Sequence, residues 1–330
     1  MINKEAKLDS NLFSNTAFKA TRDGFGDGVV EAAKINKDVV LLCCDLTEST
    51  RSLAFKQAFP DRFIEVGVAE QDMAGIAAGL AFSGKIPFIT SYAVFSPGRN
   101  WDQIRVSICY SEANVKIIGA HAGISVGPDG ATHQALEDVS ITRVLPNLTV
   151  VVPCDYYDAK KAAIEAAKFK GPFYMRFARE KTPIVTTQET PFKIGRAELF
   201  RHGKDVVIIA NGPLVYQSLL AAEELEKEDI NAVVINCHTV KPLDKETLLK
   251  YAQETGAVVT AEEHQINGAL GGAIAELLVE NYPVPMKRVG VRDRFGESGQ
   301  PDELMKKFNI VKEDVIKAVK DVMAMKKSKK

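Results

Sequence analysis

Proton chemistry is concentrated in two segments of the sequence. The first, His121-Ala-Gly-Ile-Ser-Val-Gly-Pro-Asp-Gly-Ala-Thr-His-Gln134, holds two of the chain's five histidines, three glycines and a Pro-Asp-Gly turn. Imidazole exchanges protons near neutral pH, and a loop with this much backbone freedom can present His121 and His133 to one cavity. Such a pair suits proton transfer to hydroxyl groups. A surface loop with two incidental histidines is the alternative that spacing leaves open. Metal binding has less support, because no third ligand stands nearby at a usual spacing. The second segment centres on Glu70, where an apolar run ends and an Ala/Gly-rich helical pattern begins. A carboxylate there can cap the helix or meet the positive end of its dipole. The small residues that follow, Ala74, Gly75, Ala77, Ala78 and Gly79, predict close packing against another element. Such packing would desolvate Glu70 and let it share or donate a proton.

These segments need a scaffold, and the apolar pattern supplies one. Short β-rich runs at residues 39–44, 63–66, 87–92, 115–120, 149–152 and 173–176 alternate with helical patterns at 71–82 and 156–168. Near-continuous apolar strands separated by helices predict a parallel sheet covered on both faces. Ligands of such sheets gather beyond the carboxyl ends of the strands. The polar or Gly-rich clusters Asp45-Leu-Thr-Glu-Ser49, Gly67-Val-Ala-Glu-Gln71, residues 91–100 and residues 121–134 all fall there. Residues 180–204 break the rhythm and read as an interdomain connection. The alternation restarts with strands at 206–210, 232–237, 257–260 and 288–291 and helices at 214–226, 245–254, 273–280 and 313–323. The expected fold class is α/β, with two parallel-sheet-rich domains spanning residues 1–185 and 186–330.

Bulk properties exclude several classes. The chain has 330 residues, 46% of them hydrophobic, which suits two domains. A formal net charge of −1 gives no electrostatic case for nucleic acid or an anionic membrane as partner. No apolar run approaches a membrane span, and the first residues carry no hydrophobic signal region, so a cytoplasmic location is expected. Five cysteines without metal spacing, two of them adjacent at Cys43 and Cys44, read as reduced buried thiols. The Lys-rich end from Met325 to Lys330 reads as a frayed, solvated terminus. No Gly-x-Gly-x-x-Gly follows a strand, Gly268-Ala-Leu-Gly-Gly272 is a weak match, and no Walker sequence occurs.

The string Val66-Gly-Val-Ala-Glu-Gln-Asp-Met73 resembles the glutamate motif in the pyrimidine-binding domain of transketolases and deoxyxylulose-phosphate synthases. Asp129-Gly-Ala-Thr-His-Gln134 resembles their Asp-Gly-x-Thr-His-Gln motif, with Ser91-Tyr-Ala-Val-Phe95 between the two. The resemblance continues through His238-Thr-Val-Lys-Pro-Leu-Asp244 and Asp293-Arg-Phe-Gly-Glu-Ser298, from about residue 20 to residue 309. It implies a thiamine-diphosphate pyrimidine-binding domain followed by a transketolase C-terminal domain. Glu70 would hydrogen-bond N1′ of the cofactor's aminopyrimidine, Phe95 would stack on that ring with Tyr92 beside it, and Asp45 would be a further cofactor contact. His121 and His133 would act with Glu70 in catalysis by contacting substrate hydroxyls, and Asp129 would sense a hydroxyl configuration. Arg22, Ser49 and Arg179 would hold a sugar phosphate, with Arg176 as an alternative to Arg179. His238 and His264 read as structural.

Full-length members of this family begin with a diphosphate-binding domain whose Gly-Asp-Gly motif leads to an Asn pair and ligates Mg²⁺. Phe25-Gly-Asp-Gly28 imitates that motif, but it lies in a helical pattern and no Asn pair follows. The resemblance therefore implies the C-terminal subunit of a split transketolase. Its partner would be the N-terminal, diphosphate-binding subunit, in an α2β2 assembly, with thiamine diphosphate at the interface and Mg²⁺ (or Ca²⁺) bound mainly by the partner. The reaction would move a two-carbon ketol unit from a ketose phosphate to an aldose phosphate, with pentose phosphates the default sugars. A 2-oxo-acid dehydrogenase β subunit is the nearest rival, but it has no use for sugar-hydroxyl histidines at 121 and 133. A deoxyxylulose-phosphate synthase half-chain is a second, and a non-catalytic homologue a third.

Overall fold

The apolar run after residue 38 becomes a strand buried on both faces, β2 (Val39–Cys43), because it lies inside a sheet that helices cover from both sides. The computed structural model describes residues 1–327. In chain order its first part contains β1 (Phe18–Ala20), α1 (Thr21–Ile35), β2, α2 (Leu53–Ala58), β3 (Phe63–Glu65), α3 (Glu70–Phe82), β4 (Ile86–Tyr92) and α4 (Trp101–Gln103). A wider helical turn, Ile104–Tyr110, extends α4. There follow β5 (Lys116–Ala120), α5 (Asp138–Arg143), β6 (Thr149–Val151), α6 (Tyr156–Lys168), β7 (Phe173–Arg176) and β8 (Lys181–Pro183). The remainder contains β9 (Glu198–Arg201), β10 (Val206–Ala210), α7 (Leu214–Glu226), β11 (Ala232–Asn236), β12 (Thr239–Lys241), α8 (Lys245–Thr255), β13 (Val258–Gln265), α9 (Leu270–Asn281), β14 (Met286–Val291), α10 (Pro301–Lys307) and α11 (Lys312–Lys327).

Among the described residues the first sheet runs β12-β6-β7-β5-β4-β2-β3 and the second β14-β13-β10-β11-β9. Both are parallel except at one edge, where β12 and β9 run antiparallel to their neighbours. The adjacency β5-β4-β2-β3 brings the polar clusters after those four strands to one edge. The edge strand β12 belongs to the later part of the chain and so ties it to the first sheet.

Residues 180–204 are more ordered than their lack of period predicts. β8 pairs with β1, Phe18 opposite Pro183, and β9 forms the edge of the second sheet. Between them the backbone N–H groups of Val185 and Thr186 and the Thr186 hydroxyl all donate to the buried carboxylate of Asp155. Short edge strands and side-chain anchors leave no hydrophobic period to read. β13 also extends further than residues 257–260, because Glu262, Glu263 and His264 are buried in it and interrupt the apolar signal. The Glu262 carboxylate accepts from the N–H groups of Leu270 and Gly271 and so caps α9, which accounts for the Gly268–Gly272 string without a nucleotide. All five cysteines are free and buried. The Lys-rich end is helical through Lys327, with Lys326 donating to the carbonyls of Asp205 and Thr255. Residues 328–330, part of the expected frayed end, lie outside the described residues.

Phe25-Gly-Asp-Gly28 is a helix-packing device. Gly24 and Gly28 let α1 lie directly against α6, and a Cβ on Gly28 would sit 2.5 Å from the Lys160 carbonyl oxygen. α3 behaves otherwise. Ala74, Ala77 and Ala78 pack inward as their size predicts, but Gly75 and Gly79 face open space, beside exposed Ile76 and Phe82. The two glycine pairs therefore respond oppositely to an added methyl. Gly28→Ala is expected to destabilise the chain by about 1–3 kcal/mol through overpacking. Gly75→Ala is expected to stabilise it by about 0.5–1 kcal/mol through helix propensity. Urea midpoints of the isolated chain check both signs.

The seam between the domains is polar and buried. Arg176 Nε lies 3.0 Å from Asp138 Oδ2, and both side chains are almost fully enclosed. Tyr174 donates its hydroxyl to the same oxygen at 2.7 Å, and Arg176 Nη2 donates to the Glu263 carbonyl at 2.7 Å. Removing one partner strands the other as a buried charge. Arg176→Met is expected to cost about 3–5 kcal/mol, with much of it recovered by adding Asp138→Asn. Denaturant unfolding of the single and double variants measures this.

Candidate active site

Glu70 opens α3 and is 1% exposed. The Ser91 hydroxyl donates to its Oε1 at 2.9 Å, and Arg99 Nη1 donates to its Oε2 at 2.5 Å. Asn100 Nδ2 donates to its carbonyl at 3.0 Å, fixing the helix start to the segment after β4. A carboxylate at a helix N-terminus also meets the favourable end of the dipole.

Beside it the ends of β4 and β5 carry an aromatic and imidazole cluster. Tyr92 stacks on His121 with centroids 4.0 Å apart, and Phe95 lies 6.1 Å from Tyr92 in near-parallel orientation. His133 meets both rings edge-on, at 6.0 Å from Tyr92 and 5.5 Å from Phe95. The 121–134 loop does present both histidines together. It can do so because His121 takes a left-handed turn (φ 52°) directly after β5, and because Gly123 (φ 92°) leaves room for the Glu263 carboxylate of β13. That carboxylate accepts from Ser125 N at 2.6 Å.

His121 is buried and surrounded by cations. Burial first, then Arg22, Arg179 and Arg51, then His133, push its pKa down to about 3, so the ring is neutral at physiological pH. Arg22 Nη1 approaches His121 Nε2 at 3.5 Å. A guanidinium only donates, so this contact favours the tautomer with its proton on Nδ1, an atom that is buried and without a partner.

Arg22 also donates to the Ser49 carbonyl at 3.2 Å, which brings both of these residues to the cluster. Burial lowers the pKa of Arg22, and its Nε is unpaired. Arg179 donates to the Val126 carbonyl at 2.9 Å and stands 3.6 Å from Asp129 Oδ1. Asp45 lies at the end of β2 with φ 57°, its N–H donated to Glu65 Oε1. Glu65 also accepts from Thr47 Oγ1 and Gly67 N, and so ties the loop after β2 to the turn before Glu70.

Arg176 is poorly placed as an alternative phosphate contact, since its side chain is almost fully buried and its Nε and Nη2 are bonded to Asp138 and to the carbonyls of Ala135 and Glu263. His238 stacks on Phe192 and His264 sits in the domain seam, both buried away from the cluster. Ser91, Arg99 and Arg51 were not singled out from the sequence. The segment containing Ser91 and Arg99 carried a signal as a polar strand end, but only contact geometry separates them from their neighbours. An interdomain cleft of about 430 Å³, lined by Phe18, Tyr216, Leu220 and Met305, holds none of the cluster residues.

The two sheets and the polar edge of the first define a two-domain α/β enzyme with its chemistry beyond the strand ends. The pattern for the transketolase pyrimidine binding domain matches residues 18–185, and that for the transketolase C-terminal domain matches residues 195–315. The chain belongs to the transketolase family. A putative transketolase C-terminal section of Methanocaldococcus jannaschii is 41% identical over 93% of this chain and 97% of its own length. A 6-deoxy-6-sulfo-D-fructose transketolase subunit of Clostridium sp. strain MSTE9 is 44% identical over 91% of this chain and 94% of its own. A solved split gene transketolase, in an inactive beta4 tetramer, is 45% identical with TM-score 0.88, over 93% of this chain and 99% of that one.

The depressed pKa of His121 has a thermodynamic consequence. Between about pH 3 and its ordinary value of 6.5 the unfolded ring binds a proton that the folded ring rejects. The stability tied to keeping the ring neutral is therefore complete above about pH 6.5 and is lost as pH falls towards 3. His264, lowered to about 4, acts with the same sign, and Glu262, raised to about 7, with the opposite one. His121→Asn is expected to flatten the acid side of the stability profile relative to wild type, seen in urea midpoints between about pH 4 and 6.5.

Proposed function

We propose that this chain is the C-terminal subunit of a split, thiamine-diphosphate-dependent transketolase. It moves a two-carbon ketol unit from a ketose phosphate to an aldose phosphate. Its domains divide at residues 1–185 and 186–330. The observation that carries the reading is the buried Glu70 carboxylate beside Phe95, Tyr92, His121 and His133 at one sheet edge.

The residues fit an aminopyrimidine. Glu70 offers a desolvated carboxylate for its ring nitrogen, and half-buried Phe95, with Tyr92 behind it, offers an aromatic face. Asp45 is a further contact for the cofactor. When bound, thiamine diphosphate supplies the nucleophilic carbon and the electron sink for carbon–carbon cleavage. Glu70 holds or releases a proton at N1′. His121, being neutral, orients a substrate hydroxyl through its unpartnered Nδ1–H, and His133 stands beside it against the Tyr92 ring. Asp129 reads a hydroxyl configuration, while Arg22, Ser49 and Arg179 hold the sugar phosphate.

The diphosphate and its Mg²⁺ (or Ca²⁺) belong to a partner subunit carrying the N-terminal domain, two of each chain in the assembly. Exposed Val68, Ile76 and Phe82 on and before α3 give that partner an apolar face next to Glu70. The assembly works in the cytoplasm; no described helix is long and apolar enough to cross a membrane. Pentose phosphates are the first substrates to try. Because the relative named for 6-deoxy-6-sulfo-D-fructose is 44% identical, a sulfonated sugar is the second. Arginine forks hold either tetrahedral anion.

The test is two-carbon transfer from xylulose 5-phosphate to ribose 5-phosphate with thiamine diphosphate and Mg²⁺. The assembled pair is expected to be active and each chain alone inactive. Glu70→Gln in the pair is expected to lose on the order of 10²–10⁴-fold in rate. Transfer by the rigorously purified single chain would overturn the split-site reading.

A further inference from the structure

Arg99 has no part in the roles assigned above, yet it makes the shortest contact to Glu70. Its Nη1 lies 2.5 Å from Glu70 Oε2, and its Cζ lies 4.6 Å from the centroid of the Phe95 ring. A guanidinium is planar and delocalised, so one pose can stack on an aromatic ring and donate to a carboxylate. On the reading given under Proposed function, a bound aminopyrimidine makes the same two contacts, face to Phe95 and ring nitrogen to Glu70. A ring stacked on the face of Phe95 that Arg99 covers would have to displace the guanidinium. Oε1 is already bonded to Ser91, and Oε2 is the oxygen with an exchangeable partner. The two sides of the pair differ in burial, for the Arg99 side chain is 43% exposed and that of Glu70 1%. Arg99 can swing to water at little cost, whereas Glu70 left alone would be a desolvated charge with a single hydroxyl.

We propose that Arg99 is a placeholder. It occupies the aminopyrimidine position in the cofactor-free chain, neutralises Glu70, and is displaced when cofactor binds. This rests on the proposed role of Glu70. A placeholder competes with the ligand, so its removal tightens binding, whereas loss of a merely structural contact loosens it.

The test titrates thiamine diphosphate with Mg²⁺ by calorimetry into the two-subunit assembly. Arg99→Met keeps the alkyl stem over Phe95 and removes the charge. It is expected to lower Kd by about tenfold, within the usual range of coupling between exclusive events. Arg99→Lys, which still pairs with Glu70, is expected to stay near wild type. Without cofactor, Arg99→Met should melt below wild type, and saturating cofactor should close the gap. Should Arg99→Met fail to assemble, Arg99→Gln carries the same expectation. Unchanged or weaker binding in the uncharged variants, with Glu70→Gln inactive in two-carbon transfer, overturns the placeholder alone. A Glu70→Gln assembly with wild-type transfer overturns the role of Glu70 and the placeholder with it.

Discussion

The buried pair of Asp138 and Arg176 is the constraint around which the two domains and the active-site loop are arranged. A carboxylate and a guanidinium this far from water gain little net stability from each other, but each forbids the other's removal. The pair therefore acts more as a register than as an adhesive. Arg176 stands at the end of β7 in the first sheet, and its Nη2 reaches the carbonyls of Ala135 and Glu263. Gln265 N donates to the Leu136 carbonyl, and Gln134 Nε2 reaches the Glu297 carbonyl. Each bond joins the end of the 121–134 loop to the second domain. That domain carries no residue of the candidate site, yet it fixes the loop from which His121 and His133 project.

The same seam explains the electrostatics of the site. Glu263 supports Ser125 from below, so the chain between His121 and Asp129 lies folded against β13 and not spread over the surface. His121 is thereby held under Tyr92, within the field of Arg22, Arg51 and Arg179. Low dielectric and three cations act in one direction, and the imidazole stays neutral. Glu70 is buried beside its own cation, Arg99. The site thus combines a buried carboxylate at Glu70 with a neutral imidazole at His121 in the field of three arginines.

Much of this was legible in the sequence where a single period dominates. α6 and α7 and the strands β7 and β10 begin and end where the apolar pattern says, because each has one clear buried face. β13 was read short because Glu262, Glu263 and His264 are buried by partners from other segments, and hydropathy does not register partners. The strands β8 and β9 were missed because three- or four-residue edge strands carry no period. The family resemblance grouped Glu70, Tyr92, Phe95, His121 and His133; the geometry clusters the four rings and joins Glu70 to Phe95 through Arg99. Arg99 was invisible because its importance lies in a contact with a residue 29 positions earlier.

Arg176 and Arg179 show why residue type alone does not tell a structural arginine from one left within reach of solvent. They stand three positions apart, with the same fork and the same charge. Arg176 falls on the last position of β7, where both faces of the sheet are covered, and its Nε and Nη2 are bonded to fixed partners at 2.7–3.3 Å. Arg179 falls beyond the strand, half-exposed, with one firm bond to the Val126 carbonyl and loose approaches of 3.6 Å to Asp129 and 3.7 Å to Glu180. Solvated ion pairs at such distances are worth little and exchange readily. The buried arginine is therefore held in the frame, while the half-exposed one keeps its donors loosely paired. What separates the two is where the sheet ends: the residue it covers becomes part of the frame, and the residue just past it stays half-exposed with loosely paired donors.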